Sequence, residues 1–159
     1  MNKKNYISLA KKSAEIQINE LKKIKQIFNN SFVKAIDLIL NCKGKVIFAG
    51  IGKSGLIARK ISATFSSVGI PSFFCDPAQA LHGDMGQIEK KDILIIFSYS
   101  GNTAELNNML KYANRYRIKI IGVASKTDSI LMKASDVKLI LPKVKESDLT
   151  GMEPTSSTT

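Results

Sequence analysis

Lys45-Val46-Ile47-Phe48-Ala49-Gly50-Ile51-Gly52-Lys53-Ser54-Gly55-Leu56-Ile57-Ala58-Arg59-Lys60 decides the fold. Lys45 to Ala49 is an apolar run of strand length, and Lys53 to Val68 reads as a helix. A glycine-rich loop joins them, so the stretch reads as strand, turn and helix, the opening of an α/β unit. Further strand-like runs follow at Pro71 to Cys75, Ile93 to Phe97, Lys119 to Val123 and Val137 to Leu141. Helix-like runs lie between them at Pro77 to His82, Ala104 to Arg115 and Ser129 to Lys133. Strands alternating with helices imply right-handed crossovers and a parallel sheet. These strands are apolar on both faces, as a sheet covered on both sides requires. The expected architecture is a three-layer α/β/α sandwich with five parallel strands in the flavodoxin-like order 2-1-3-4-5.

Before Lys45 the chain reads as helix. Ile18, Leu21, Ile24 and Phe28 recur at near-helical spacing among Lys, Glu and Gln. Asn29, Asn30 and Ser31 break the run, and Ser31 is the expected N-cap of a second helix, Phe32 to Leu40. The 159 residues favour one domain, with N-terminal helices over 1–44 and an α/β core over 45–159. Pro154-Thr155-Ser156-Ser157-Thr158-Thr159 is rich in capping residues and reads as the start of a helix. The natural protein is therefore expected to continue beyond Thr159, with the C-terminal part of the core missing here.

Composition narrows the classes. Hydrophobic residues make up 44% of the chain and charged residues 23%, ordinary globular usage that argues against disorder. No apolar run reaches the roughly 18 residues of a membrane span, and the basic N-terminus lacks a signal-peptide core. A cytoplasmic protein with no membrane partner is expected. Cys42 and Cys75 lie 33 residues apart, match no metal spacing and read as buried free thiols.

The net charge of +11 is uneven, with ten lysines against three carboxylates in residues 1–45. Such a balance attracts anions. Yet the basic residues are almost all Lys, there is no Trp, and no basic and aromatic residues interleave as in base-reading surfaces. Nucleic acid is not the expected partner; an anionic small molecule is.

In open parallel sheets, ligands bind beyond the carboxyl ends of the strands where the strand order reverses, here between strands one and three. The segments at that point are Gly50 to Gly55 and Ser98 to Thr103. In the first, Gly52 lets backbone approach a ligand, the helix start offers unpaired N–H groups, Lys53 adds a charge and Ser54 a hydroxyl. Gly-Lys-Ser suggests a P-loop, but that motif needs glycine at position 47, where Ile47 stands. G-x-G-x-x-G does match at Gly50, Gly52 and Gly55, and Asp76 lies 21 residues further on, where a ribose-binding acid sits. A dinucleotide-dependent oxidoreductase is the rival reading. Ser98-Tyr99-Ser100-Gly101-Asn102-Thr103 favours a compact phosphate, since hydroxyls and helix-start amides surround its oxygens.

Two titratable groups lie close by in sequence. Glu105 sits at N3 if Asn102 caps the next helix, completing a capping box; a carboxylate beside a phosphate site is also suited to removing a proton next to a carbonyl. His82 is the single histidine, within Ala80-Leu81-His82-Gly83-Asp84. It is either structural or an exchanger of protons near neutrality, and Asp84 either orients it or caps a turn. One histidine without a cysteine cluster argues against the usual catalytic metal sites, and none is expected.

Taken together, Gly50 to Gly55 with Ile57 to Lys60, His82-Gly83-Asp84, Ser98-x-Ser100-Gly101-x-Thr103-x-Glu105 and Pro154 to Thr159 resemble the sugar isomerase (SIS) domain. More narrowly they resemble arabinose-5-phosphate isomerases of the KpsF/GutQ type, over almost the whole chain. That resemblance implies interconversion of D-ribulose 5-phosphate and D-arabinose 5-phosphate, a step that supplies the eight-carbon sugar Kdo. It implies no organic cofactor, a homotetramer, and a sugar phosphate as the ligand. It further implies phosphate or substrate contacts at Ser54, Ser98, Ser100, Gly101 and Thr103, and functional roles for Lys53, His82 and Glu105. Glu105 is the first choice for the base, His82 the second; Lys53 balances enediolate or phosphate charge and Asp84 supports. The family carries a further histidine beyond the Thr-Ser-Ser-Thr-Thr element, and many members carry paired CBS domains; neither falls within residues 1–159. A non-catalytic sugar-phosphate-binding module is the alternative within the family.

Overall fold

The computed structural model describes residues 3–148, 150 and 153–159. The chain divides into two compact units, residues 27–141 and residues 1–26 with 142–159.

The larger unit is built on five parallel strands, β1 (Val46–Gly50), β2 (Ser72–Cys75), β3 (Ile93–Phe97), β4 (Lys119–Ala124) and β5 (Val137–Ile140), in the order β2-β1-β3-β4-β5. The expected sheet and order are therefore observed. Alternation along each strand divides the core in two. Val46, Phe48, Ile93, Ile95, Ile121 and Val123 face one layer, which contains Ala35 of α2 (Asn30–Leu40) and Ala58 of α3 (Lys53–Ser67). Ile47, Ala49, Leu94, Ile96 and Ile120 face the other, against Leu106, Met109, Leu110 and Ala113 of α4 (Leu106–Tyr116) and Leu131 and Met132 of α5 (Ile130–Ala134). Each such fully buried aliphatic side chain contributes about 1.5–3 kcal/mol, which is why both faces of the strands are apolar.

The strands are tied at their amino ends by a buried carboxylate. Asp92 is 1% exposed. It accepts from the backbone N–H of Lys45 and of Glu89, both at 2.8 Å, and pairs with Lys45 Nζ at 3.2 Å. This satisfies the charge where β1 and β3 enter the sheet.

Three local expectations change. The helix α2 is capped by Asn29, whose Oδ1 accepts from Ser31 N at 2.8 Å; Ser31 lies inside the helix. The short Asx turn forms earlier in the chain than the sequence pattern suggested. Cys42 is only half-buried, whereas Cys75 is buried, and both thiols are free. Pro77 to His82 is not a continuous helix but ends in a 3-10 turn at Ala80–His82, followed by another at Asp84–Gln87. Asp76 Oδ1 accepts from Ala78 N at 2.9 Å, an Asx turn that competes with helix, and Gly83 at φ 130° separates the two turns.

In the smaller unit, α1 (Lys3–Leu21) meets the segment after residue 142 through polar contacts. Ser13 Oγ and Gln17 Nε2 donate to Ser147 Oγ at 3.0 and 3.1 Å, and Thr159 Oγ1 donates to Gln17 Oε1 at 3.1 Å. The helix start read at Pro154 to Thr159 is a 3-10 turn, Ser156–Thr158. The Glu146 carboxylate organises it, accepting from Thr155 N at 2.7 Å, Thr155 Oγ1 at 3.0 Å and Ser157 N at 3.3 Å. Burial alone would raise its pKa, but the donors on Ser157 and Thr155 outweigh it and hold the carboxyl below its ordinary value. Among the described residues, no helix is long and apolar enough to cross a membrane.

Candidate functional site

Three loops leave the carboxyl edge of adjacent strands. Gly50 pairs in register with Phe97, and Ala49 with Cys75. The chain after β1 carries Gly52, Lys53 and Ser54; the chain after β3 carries Ser98 to Glu105; the chain after β2 carries His82 and Asp84. Strand spacing of about 4.8 Å sets the separation of their starting points. The topology therefore gathers all the candidate residues named from the sequence at one end of the sheet, at the reversal point of the strand order.

After β1 the turn is short. Gly52 is the N-cap of α3, Lys53 its exposed first residue and Ser54 its half-buried second. Gly55 is buried against the preceding strand end: a Cβ there would lie 2.6 Å from the carbonyl oxygen of Gly50. The glycine at that position brings α3 close onto β1. The same position faces the Phe74 ring, over which the Arg59 guanidinium stacks at 4.4 Å from the centroid.

After β3 the hydroxyls divide their tasks. Ser98 is buried; its Oγ shares a 2.8 Å hydrogen bond with Thr103 Oγ1 and accepts from Gly101 N at 3.1 Å, closing the loop on itself. Ser100 is exposed, and its Oγ accepts from Asn102 N at 3.3 Å. Gly101, at φ 68°, is packed over Ser129; a Cβ on it would lie 2.1 Å from Ser129 Oγ. No side chain fits between the loop and the start of α5.

The capping box expected at Glu105 is absent. The helix α4 begins at Leu106, Glu105 occupies the cap position, and its side chain makes no capping hydrogen bond. Asn102 is committed elsewhere, its Oδ1 accepting from Ile130 N at 3.0 Å. The tertiary partner wins over the local one, and the Glu105 carboxylate is left exposed at the site.

His82 ends the first 3-10 turn and is exposed. Asp84 Oδ1 accepts from Gln87 Nε2 at 3.3 Å, so the carboxylate braces its own turn. Met85 packs on the core, and Tyr112 of α4 donates to Ile88 O at 3.4 Å, which fixes the base of this loop. Beneath it, burial pushes the Cys75 thiol up to about 11, helped by the charges of Asp84 and Asp76. Asp76, the ribose-binding acid of the dinucleotide reading, spends one oxygen in its Asx turn.

Sequence reasoning missed the β4–α5 segment. Ser125 donates through both N (2.9 Å) and Oγ (2.8 Å) to Tyr99 O, and Leu131 N donates to Gly101 O at 3.0 Å. The signal was available in principle, since Ser125 and Ser129 lie at the carboxyl end of the strand neighbouring β3. Among the described residues, no three His, Cys, Asp or Glu side chains cluster to hold a metal ion.

The sequence pattern of the SIS domain matches residues 39–159. The chain belongs to the SIS domain family. This SIS domain is 41% identical over 152 residues to the arabinose 5-phosphate isomerase KpsF of Escherichia coli O6:H1 (strain CFT073), covering 96% of the chain and 45% of that protein. It superposes on a Listeria monocytogenes crystal structure with a TM-score of 0.94 at 31% identity, covering 99% of the chain and 83% of the other. An Escherichia coli CFT073 protein in complex with arabinose 5-phosphate matches with a TM-score of 0.88 at 37% identity, covering 99% and 84%. The SIS domain spans about half the length of the curated relatives it matches.

Proposed function

We propose that this SIS domain interconverts D-ribulose 5-phosphate and D-arabinose 5-phosphate and so supplies Kdo synthesis. One observation carries the reading: β2, β1 and β3 are adjacent and in register, so the loops bearing His82, Lys53 and Glu105 leave the same edge of the sheet as the hydroxyl-rich Ser98–Thr103 loop. The relatives named arabinose 5-phosphate isomerase support it.

In this reading the phosphate rests on the Ser98–Thr103 loop, where Ser100 and Thr103 offer hydroxyls and Ser98 keeps the loop closed, with Gly52 and Ser54 on the facing turn. Aldose–ketose isomerisation moves a proton between C1 and C2. Glu105 takes the carbon-bound proton, an enediolate forms, and the same carboxyl returns the proton to the neighbouring carbon. His82 moves protons between the two substrate oxygens, and Lys53 stabilises the developing oxyanion. Asp84 supports the His82 turn. Each acid–base group is expected to contribute about 10²–10⁴-fold to the rate.

Proton NMR of D-arabinose 5-phosphate with the chain in D2O tests the proposal. Ketose formation, or loss of the C2 proton signal to deuterium, is the expected result. Binding by saturation transfer without any exchange would replace the isomerase with a sugar-phosphate-binding module. Absence of both, with folded protein, would end the proposal.

A further inference from the structure

We propose that Asn102 and the β4–α5 segment form a positioning device for the phosphate loop, with the Asn102 side chain to Ile130 N–H hydrogen bond as its latch. This rests on the reading of Ser98–Thr103 as the phosphate-binding loop. The loop has little regular structure of its own between the end of β3 at Phe97 and the start of α4 at Leu106. Its shape is supplied from the side. Ser98 N donates to Val123 O at 3.1 Å, which extends the β3–β4 ladder by one residue. Ser125 then holds the Tyr99 carbonyl through two donors, and Leu131 N holds the Gly101 carbonyl. Both carbonyls are thereby tied to the β4–α5 segment. Ser129, 1% exposed, fills the space under Gly101 and caps α5 by accepting from Met132 N at 3.4 Å.

Asn102 completes this arrangement from the loop side, its side chain reaching the first backbone N–H of α5. The bond diverts Asn102 from capping α4, where its residue type would ordinarily act. That leaves Glu105 without its capping partner, while the Asn102 backbone N–H donates to Ser100 Oγ at 3.3 Å in the same loop. Deleting the latch is therefore expected to loosen the loop and weaken phosphate binding, without touching a group that contacts substrate.

The bond can be cut from either end. Asn102→Ala removes the acceptor. Ile130→Pro removes the donor with little disturbance, because Ile130 is the first residue of α5, where proline is favoured, and Ser129 before it already has φ −67° and ψ 160°. The Ile130 side chain is 46% exposed, so little packing is lost. Binding of inorganic phosphate, followed by titration calorimetry, and of D-arabinose 5-phosphate, followed by KM and kcat, are to be compared in wild type, each single variant and the double variant.

Each single variant is expected to weaken phosphate binding and raise KM by about five- to tenfold, the weight of one hydrogen bond, with a smaller change in kcat and an unchanged urea midpoint. The double variant is expected to be no worse than either single one, since both cut the same bond. Unchanged phosphate affinity in both single variants, fully additive losses, or losses that merely follow the urea midpoint would overturn the proposal. So would wild-type protein that binds no phosphate. Wild type that binds phosphate but neither turns over nor binds the sugar phosphate would defeat the isomerase reading alone, and the phosphate titrations would still decide the latch.

Discussion

Gly55 meets the carbonyl oxygen of Gly50 so closely that a Cβ at position 55 would lie 2.6 Å from it. The first and last glycines of Gly50 to Gly55 thus set the distance between β1 and α3. Gly55→Ala is expected to push the helix off the strand end. The expected cost is about 1–3 kcal/mol of unfolding free energy, typical of overpacking, together with weaker phosphate binding. Urea denaturation measures the first and calorimetry the second. A variant as stable as wild type would mean that α3 shifts freely.

Glu105 makes no capping hydrogen bond, so its role and its structural weight can be separated. Glu105→Gln is expected to leave the stability within about 0.5 kcal/mol of wild type, as for an exposed surface residue. C2 proton exchange should fall by about 10²–10⁴-fold. Exchange at the wild-type rate would move the base to another residue.

The Asp136 carboxylate joins β5 to β4, accepting from Ile120 N at 2.9 Å and from Lys119 Nζ at 2.6 Å. Burial works to raise its pKa, but these hydrogen bonds and the Lys119 charge outweigh it, and the folded value lies below the ordinary one. The unfolded chain therefore binds this proton more readily. The stabilisation is present above the unfolded value of about 3.9 and is lost as pH falls through the lower folded value. Asp136→Asn should flatten the fall in melting temperature between about pH 5 and pH 3. An unchanged pH profile would mean that the bond is solvent-screened to no effect.

Cys75 is 2% exposed with its thiol raised to about 11. At pH 8 its thiolate fraction is on the order of 100-fold below that of an ordinary thiol near 8.5. Iodoacetamide is expected to modify it only under denaturing conditions, which peptide mapping by mass spectrometry reads directly. Rapid labelling of Cys75 in the folded protein would show that the loop carrying His82 opens readily.

Much of this was legible along the chain because the signals are local. Val46 to Ala49 and Ile93 to Phe97 are covered on both faces, so each is an unbroken apolar run, and parallel order follows from the helices between them. The Ser-Gly-rich composition of Ser98–Thr103 marked a loop for the same reason, and its hydroxyls and amides close that loop on itself. At one position a local rule met a distant partner and lost, and at others two local rules competed. Asn102 reads as a helix cap in sequence, yet bonds to Ile130, 28 residues away. Asp84 reads either as a partner for His82 or as a turn residue, and it braces its own turn through Gln87. Ser31 yields its cap to Asn29, two residues back, whose Oδ1 accepts from Ser31 N.

The amino-acid sequence by itself determined the five parallel strands, because periodicity acts within a few residues, and its motifs carried the resemblance to the SIS family; the strand order expected was the common one for such sheets, and the structure has it. The tertiary structure alone decided which polar groups at the carboxyl edge of the sheet are spent on holding loops and which stay exposed. Ser98, Asn102 and Ser129 are consumed in the loop and its support, whereas Ser100 and Glu105 remain exposed. The physical reason is that each buried donor or acceptor must find a partner, and which one it finds depends on the strand packed beside it.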